Sequence, residues 1–284
     1  MSYKKIDPKN NDVKSIYHLM ISGISPRPIA LVSSIDSDGN NNLAPFSFFN
    51  GFGANPPIVG FSPALSGRTG LPKDTLLNIK ETKEFSISIV TESNVNQASL
   101  SSCEFKRDVD EFVKSGFTKL KSELILPPGV AESPFIMECK LIEIIELGGK
   151  PASGNLILGE VVMFHVDKNI LNIDGTIDPL KISHVGRSGG PWYTNVNKSL
   201  FKIHKPTGLG IGFDNLPSFI LNSNLQGKDL AKLSGIFEVP ELNSNCITNH
   251  ITYDELILKI KSLLDKDNID EAWQFILNWK KDNE

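Results

Sequence analysis

Cysteine is scarce in this chain. There are three, Cys103, Cys139 and Cys246, odd in number and far apart, with no CxxC pair. That pattern excludes a zinc ribbon and a dithiol redox motif, and it fits a reducing cytoplasm. Histidine is equally thin: five residues, scattered, with no HxH or HExxH spacing for a metal. His165, within a run of apolar residues, reads as structural. Positive charge is not in excess, with 29 Lys and Arg against 33 Asp and Glu and a net charge of −4, so no basic face for nucleic acid is implied. No apolar run is long enough to span a bilayer, and the first twenty residues have no signal-peptide core. The glycine run GLGIGF at 208–213 lacks the GxGxxG spacing of a dinucleotide loop and reads as loop. No nucleophile–base pair and no paired carboxylates stand out. The expectation is a cytoplasmic protein that meets neither membrane nor nucleic acid and binds no metal.

What is present is a series of short β-patterned segments. Residues 29–35 (IALVSSI) are rich in β-branched and apolar types, so they favour a strand. Asp36-Ser37-Asp38-Gly39-Asn40 is turn chemistry: Asp tolerates unusual backbone angles and Gly supplies positive φ. It is not a calcium loop, because Gly39 comes too early and no Glu closes the twelfth position. Residues 43–49 resume the apolar pattern. Pro45 removes a backbone donor, which places Ala44-Pro45 at a strand end or a sheet edge. Phe46 and Phe48 share strand parity and are expected to face one way, Phe49 the other.

Further strands are expected at 58–62, 85–90, 135–145 and 155–166, with Gly159 as a bulge or a close approach. Helices are expected near 13–20, from Asp74 or Thr75 to Lys83, and from Ser93. Many strands with few helices between them argue for a closed or split barrel, not a parallel α/β sheet. After residue 200 the character changes. Thr252 to Glu255 is a capping box, and two amphipathic helices follow, a helical hairpin that packs on the barrel or on a partner subunit. The organisation is therefore a domain of residues 1–200 and an extension of residues 201–284.

Lys73-Asp74-Thr75 puts a cation and a hydroxyl at a helix start. Read locally, it is either a phosphate clamp or a plain helix cap beside a surface lysine. Arg27 lies between two prolines and is held extended, so it reaches phosphate or makes a surface ion pair. Ser62, at the end of a short strand, is a ligand hydroxyl or a turn cap.

The ordered segments SPRPIALVSS, DGNNNLAPFSFFN, NPPIVGFS, KDTLLNI and TKEFSISIV resemble the flavin-reductase-like, FMN-binding split-barrel family. GEVVMFHVD and ISHVGRSGGPWY are similar to its later strand and C-terminal motif. The resemblance covers about residues 13–195 and extends more weakly into the tail. It implies a mainly β fold, a six-stranded antiparallel split barrel with flanking helices, usually a homodimer, with FMN near the subunit interface. It implies phosphate ligation by Lys73 and Thr75, with Asp74 the weaker member of that motif. Ala44, Pro45, Phe46, Ser47, Phe48 and Asn50 would line the flavin, Ser62 and Arg27 would flank it, and Arg187 with Trp192 or Tyr193 would approach it.

The implied activity is NAD(P)H-dependent flavin reduction, with NADH or NADPH as co-substrate and electrons passed to a small acceptor, free flavin or a partner oxygenase. The missing acid–base pair suits this, since the cofactor carries the chemistry. A non-catalytic FMN electron carrier is a second reading. A pyridoxamine-phosphate-oxidase-like enzyme is a third, though a second basic phosphate site is missing.

Overall fold

The structure, a computed structural model, describes residues 1–203, 208–243 and 251–283. Cys246, His204 and His250 lie outside them. By internal contacts the chain divides into Met1–Leu200 and Phe201–Glu284, and each is described by itself.

The first unit opens with helix α1 (Val13–Gly23), whose start is capped by Asp12 accepting from Ser15 N at 2.9 Å. Strand β1 (Ala30–Ile35) and β2 (Asn41–Phe46) form the expected hairpin, in register from Ile35 opposite Asn41 to Ala30 opposite Phe46. The Asp36 carboxylate holds the turn by accepting from Asp38 N, Asn40 N and Asn40 Nδ2. Gly39 takes φ +85° there. That carboxylate is fully used by the turn. Next come β3 (Phe49–Ala54), β4 (Pro57–Phe61), helix α2 (Asp74–Thr82), β5 (Glu84–Ile89), and the short helices α3 (Val95–Leu100) and α4 (Glu111–Ser115). A small ribbon, β6 (Lys119–Leu120) with β7 (Gly129–Val130), precedes the long antiparallel pair β8 (Phe135–Leu147) and β9 (Gly154–Val166). A second ribbon, β10 (Val185–Arg187) with β11 (Tyr193–Asn195), and helix α5 (Val196–Ser199) end the unit.

The main sheet is antiparallel, in the order β2-β1-β5-β8-β9-β4-β3. It has seven strands, not six. The difference lies at Ser47-Phe48, where one stretch of chain breaks into β2 on one edge and β3 on the other. Counted as one bent strand, β2–β3 restores the expected number and joins the two edges of the sheet through the chain itself.

The same break overturns the expected phenylalanine parity. Phe46 and Phe49 both pack against the barrel core, while Phe48 lies under the Arg27 guanidinium, 5.8 Å from Cζ to the ring centroid. Alternation holds only along an unbroken strand. In that core, Phe61 stacks between Phe46 at 5.1 Å and Phe85 at 5.5 Å, and Leu76 and Ile79 of α2 are buried among them. The opposite face of β1, with Leu31 and the preceding Ile29, is covered by Ala98 of α3 and Phe112 of α4. His165 Nε2 lies 2.6 Å from Oε1 of the buried Glu138, which also accepts from Glu123 N and Leu124 N.

The second unit has its own core. Helices α6 (Ser218–Leu221), α7 (Gly227–Ser234), α8 (Tyr253–Asp265) and α9 (Ile269–Asn283) gather around Leu233, Leu256, Ile260 and Ile276. Trp273 is buried there, its Nε1 donating to Leu233 O at 3.0 Å. The Thr252–Glu255 capping box is present. The α8–α9 hairpin is thus part of a helical unit that includes α7. Among the described residues no helix is long and apolar enough to cross a membrane.

Gly159 is a close approach: a Cβ there would lie 2.4 Å from Phe85 Cζ in the core. Gly159→Ala is expected to cost about 1–3 kcal/mol by overpacking, read as a lower urea midpoint with an unchanged slope.

Candidate functional site

The Ser47-Phe48 corner, the N-terminus of α2, the loop 62–69 and the loop 101–105 surround a cleft of about 1000 Å³. Residues of α1, Val13, Lys14, Tyr17 and Ile21, form another wall. The cleft brings together Ala44, Pro45, Phe46, Ser47, Phe48, Ser62, Lys73, Asp74 and Thr75. These come from three separate stretches of sequence.

Helix α2 meets the cleft uncapped. Its N-cap is Lys73, not Asp74 or Thr75 as the sequence suggested, and no side chain bonds the first-turn amides. The N–H groups of Asp74 and Thr75 therefore have no intrahelical acceptor, and the positive end of the helix dipole faces the cleft. The Lys73 side chain is exposed with no acid partner among the described residues. Asp74 is paired with Arg107 at 3.5 Å in a partly exposed ion pair, and Arg107 also donates to Asn78 Oδ1. An anion at this helix start would meet Lys73 without meeting an unpaired Asp74.

Two cleft hydroxyls are set as donors. Thr75 is buried, and its Oγ1 accepts from Asn42 Nδ2 at 2.8 Å. Ser47 Oγ accepts from Arg27 Nε at 3.3 Å. Amide and guanidinium nitrogens only donate, so each hydroxyl keeps its own proton for another acceptor. The cleft thus suits a ligand rich in acceptor oxygens and nitrogens.

Three of the sequence-derived residues lie elsewhere. Arg27 is buried, and its guanidinium donates to the carbonyls of Ile21 and Ile24 at the C-terminal end of α1 as well as to Ser47. It ties α1 to the corner and is not free to meet a phosphate. Asn50 is exposed on β3, its Oδ1 accepting from the next amide, Gly51 N. Arg187 lines a smaller adjoining pocket, stacked on Tyr193, and Trp192 is exposed. Arg68 reaches the cleft in an exposed ion pair with Glu104, of little energetic weight.

Sequence reasoning missed Asn42, Tyr17 and Glu111. Asn42 had a signal: Ser33-Ser34 sits inside a buried strand, buried hydroxyls need partners, and Asn42 stands directly opposite Ser34. Glu111 had none. It is buried on the cleft wall, and its Oε2 accepts from Leu43 N at 3.0 Å, a donor left over because β2 is a sheet edge. Burial pushes its carboxyl above the ordinary range, the Leu43 amide opposes this, and Asp110 and Asp74 add to the rise.

Residues 22–181 match the family model described as the flavin reductase like domain. That span is more than half of the chain. The chain belongs to this family. This flavin-reductase-like protein is 36% identical to an uncharacterised protein of Halalkalibacterium halodurans over 208 residues, 72% of this chain and 97% of the relative. Among solved structures it is similar to nitrilotriacetate monooxygenase component B from Bacillus cereus, with TM-score 0.67, 32% identity, and coverage of 72% of this chain and 100% of that one. It is also similar to 2-nitrobenzoate 2-nitroreductase from Pseudomonas fluorescens, with TM-score 0.65, 28% identity, and coverage of 76% and 99%. The barrel is the fold of the family, and the C-terminal helical unit lies outside the matched domain.

Glu111 gives a pH prediction. A carboxyl whose folded value is raised above its unfolded one loses stability as pH climbs from the unfolded value through the folded one. Glu111→Gln keeps an oxygen for Leu43 N and removes that loss. The variant is expected to match the wild type near pH 4.5, the ordinary value for the group, and to exceed it at higher pH in thermal melts, the gain levelling off once pH has passed the raised folded value.

Proposed function

We propose that this protein is an FMN-binding oxidoreductase that takes electrons from NADH or NADPH and passes them to a small acceptor, free flavin or a partner oxygenase. It would work as a cytoplasmic homodimer. One observation carries the reading: the uncapped start of α2, with Lys73 and the donor-set Thr75, opens into the same cleft as the Pro45–Phe48 surface. A phosphate needs cations, hydroxyls and amide donors, and a flat ring needs an apolar wall with a donor at its edge. Both requirements are met within one cleft.

The residues divide the work. Lys73, Thr75 Oγ1 and the amides of Asp74 and Thr75 would hold the phosphate. Pro45, Phe46 and Phe48 would wall the ring, and Ser47 would donate to its polar edge. Arg107 lessens the repulsion between Asp74 and the phosphate, and Arg27 keeps the Ser47 proton available for the ligand. When bound, the flavin supplies the hydride-accepting centre, which is why an acid–base pair in the protein is not required. The protein's part is position and orientation. Membership of the flavin reductase like family supports the cofactor, and the monooxygenase component and nitroreductase among its structural relatives support electron delivery to an oxygenase or a small molecule.

Titration with FMN tests the reading directly. The wild type is expected to bind FMN and turn yellow. Lys73→Met and Thr75→Val are each expected to weaken binding about tenfold or more, the loss of one charge-assisted bond at ~1.5–3 kcal/mol. Anaerobic NADH or NADPH is then expected to bleach the bound flavin rapidly. Slow bleaching with both would favour the electron-carrier reading, and a wild type that binds no FMN would end the proposal.

A further inference from the structure

A second pocket, of about 280 Å³, adjoins the cleft and shares the 45–47 corner with it. Its charged residue is Arg187. The Arg187 backbone is fixed by paired bonds to Arg27, N to O at 2.8 Å and O to N at 2.9 Å. Its guanidinium lies over the ring of its cross-strand neighbour Tyr193, 4.4 Å from Cζ to the centroid. Among the described residues it has no carboxylate and no carbonyl acceptor. The stacking occupies a face of the guanidinium and leaves the in-plane N–H groups free. The rest of the wall includes apolar Ile29, Val90 and Val95, with the Ser99 side of α3 beside them.

A partnerless cation against an apolar wall is a site for an anion that carries its own apolar body. The guanidinium fork matches a carboxylate, with two parallel bonds. Small-molecule pockets run from about 300 to 1,000 Å³, so this one is at the lower limit. It has room for a single-ring acid and none for a dinucleotide. We propose that the pocket is a binding site for a small aromatic monocarboxylate, held edge-on by Arg187 with its ring against Ile29, Val90 and Val95. Because the corner is shared, the bound ring is placed next to the cleft assigned to the flavin. Only that adjacency rests on the flavin reading; the binding itself does not.

The test is calorimetric titration of the full chain with benzoate, in FMN-free and FMN-saturated protein. Saturable binding at one site is expected, with benzamide, which lacks the charge, at least about tenfold weaker. Arg187→Gln is expected to lose about tenfold or more, and Val95→Trp, which fills the pocket, to abolish binding. Should Arg187→Gln fail to fold, benzamide and Val95→Trp decide the matter. Equal affinity for benzoate and benzamide, full affinity in Arg187→Gln, displacement of benzoate by inorganic phosphate at equal concentration, or no saturable binding to the wild type would each overturn the proposal. Benzoate binding in a protein that binds no FMN would reject the flavin reading and leave this one standing.

Discussion

The structure depends on one constraint: a single stretch of chain supplies both edges of the sheet. Asn41–Phe46 pairs with β1, Phe49–Ala54 pairs with β4, and only Ser47-Phe48 separates them. A sheet whose edges are joined so closely has to curl, and the curl draws Phe46 and Phe49 inward onto Phe61 and Phe85. The residues at the corner are turned the other way, toward the cleft. Pro45 suits an edge because it has no N–H to leave unpaired. Arg27 braces the corner from outside by joining Ser47 to the end of α1. The cleft is the outer side of this corner, so closure of the barrel and placement of the ligand surface are one event.

Electrostatics then gives the cleft its character. Its acids are either paired, as Asp74 with Arg107 and Glu104 with Arg68, or buried and held toward the neutral form, as Glu111. Lys73, Lys14 and the first amides of α2 remain. Ser47 and Thr75 are each made donors by a nitrogen that cannot accept. A surface of donors and of lysines without an acid partner among the described residues, Lys14 and Lys73, selects for an acceptor-rich anion more specifically than any one of these residues does alone.

Much of this was legible in the sequence because it is local. The Asp36–Asn40 turn, the α8 capping box and the strand expected at 135–145 each announce themselves within a dozen residues. The resemblance carried the order of the barrel and the cluster of residues 44–48 with 73–75. What was not legible depends on partners distant in sequence. Arg27 meets Ser47 twenty residues on, and Asn42 meets Thr75 thirty-three residues on. Glu111 is drawn to Leu43 by an edge amide that exists only once the sheet has formed. Local pattern also misplaced the phenylalanines, since alternation resets at a break that turn chemistry did not mark. Asn50 shared a motif with Ser47 but lies past that break, exposed on β3 and outside the cleft lining.

The C-terminal helical unit adds a second core to a chain whose relatives are matched over nearly their whole length by about three quarters of it. In the barrel, the cleft between the Ser47-Phe48 corner and the start of α2 is the proposed FMN site. A crystal structure of the protein grown with FMN measures this most directly. The account predicts the phosphate within hydrogen-bond reach of Lys73 and Thr75, with the ring against residues 45–48. A phosphate bound at Arg187, or flavin bound away from α2, would contradict it.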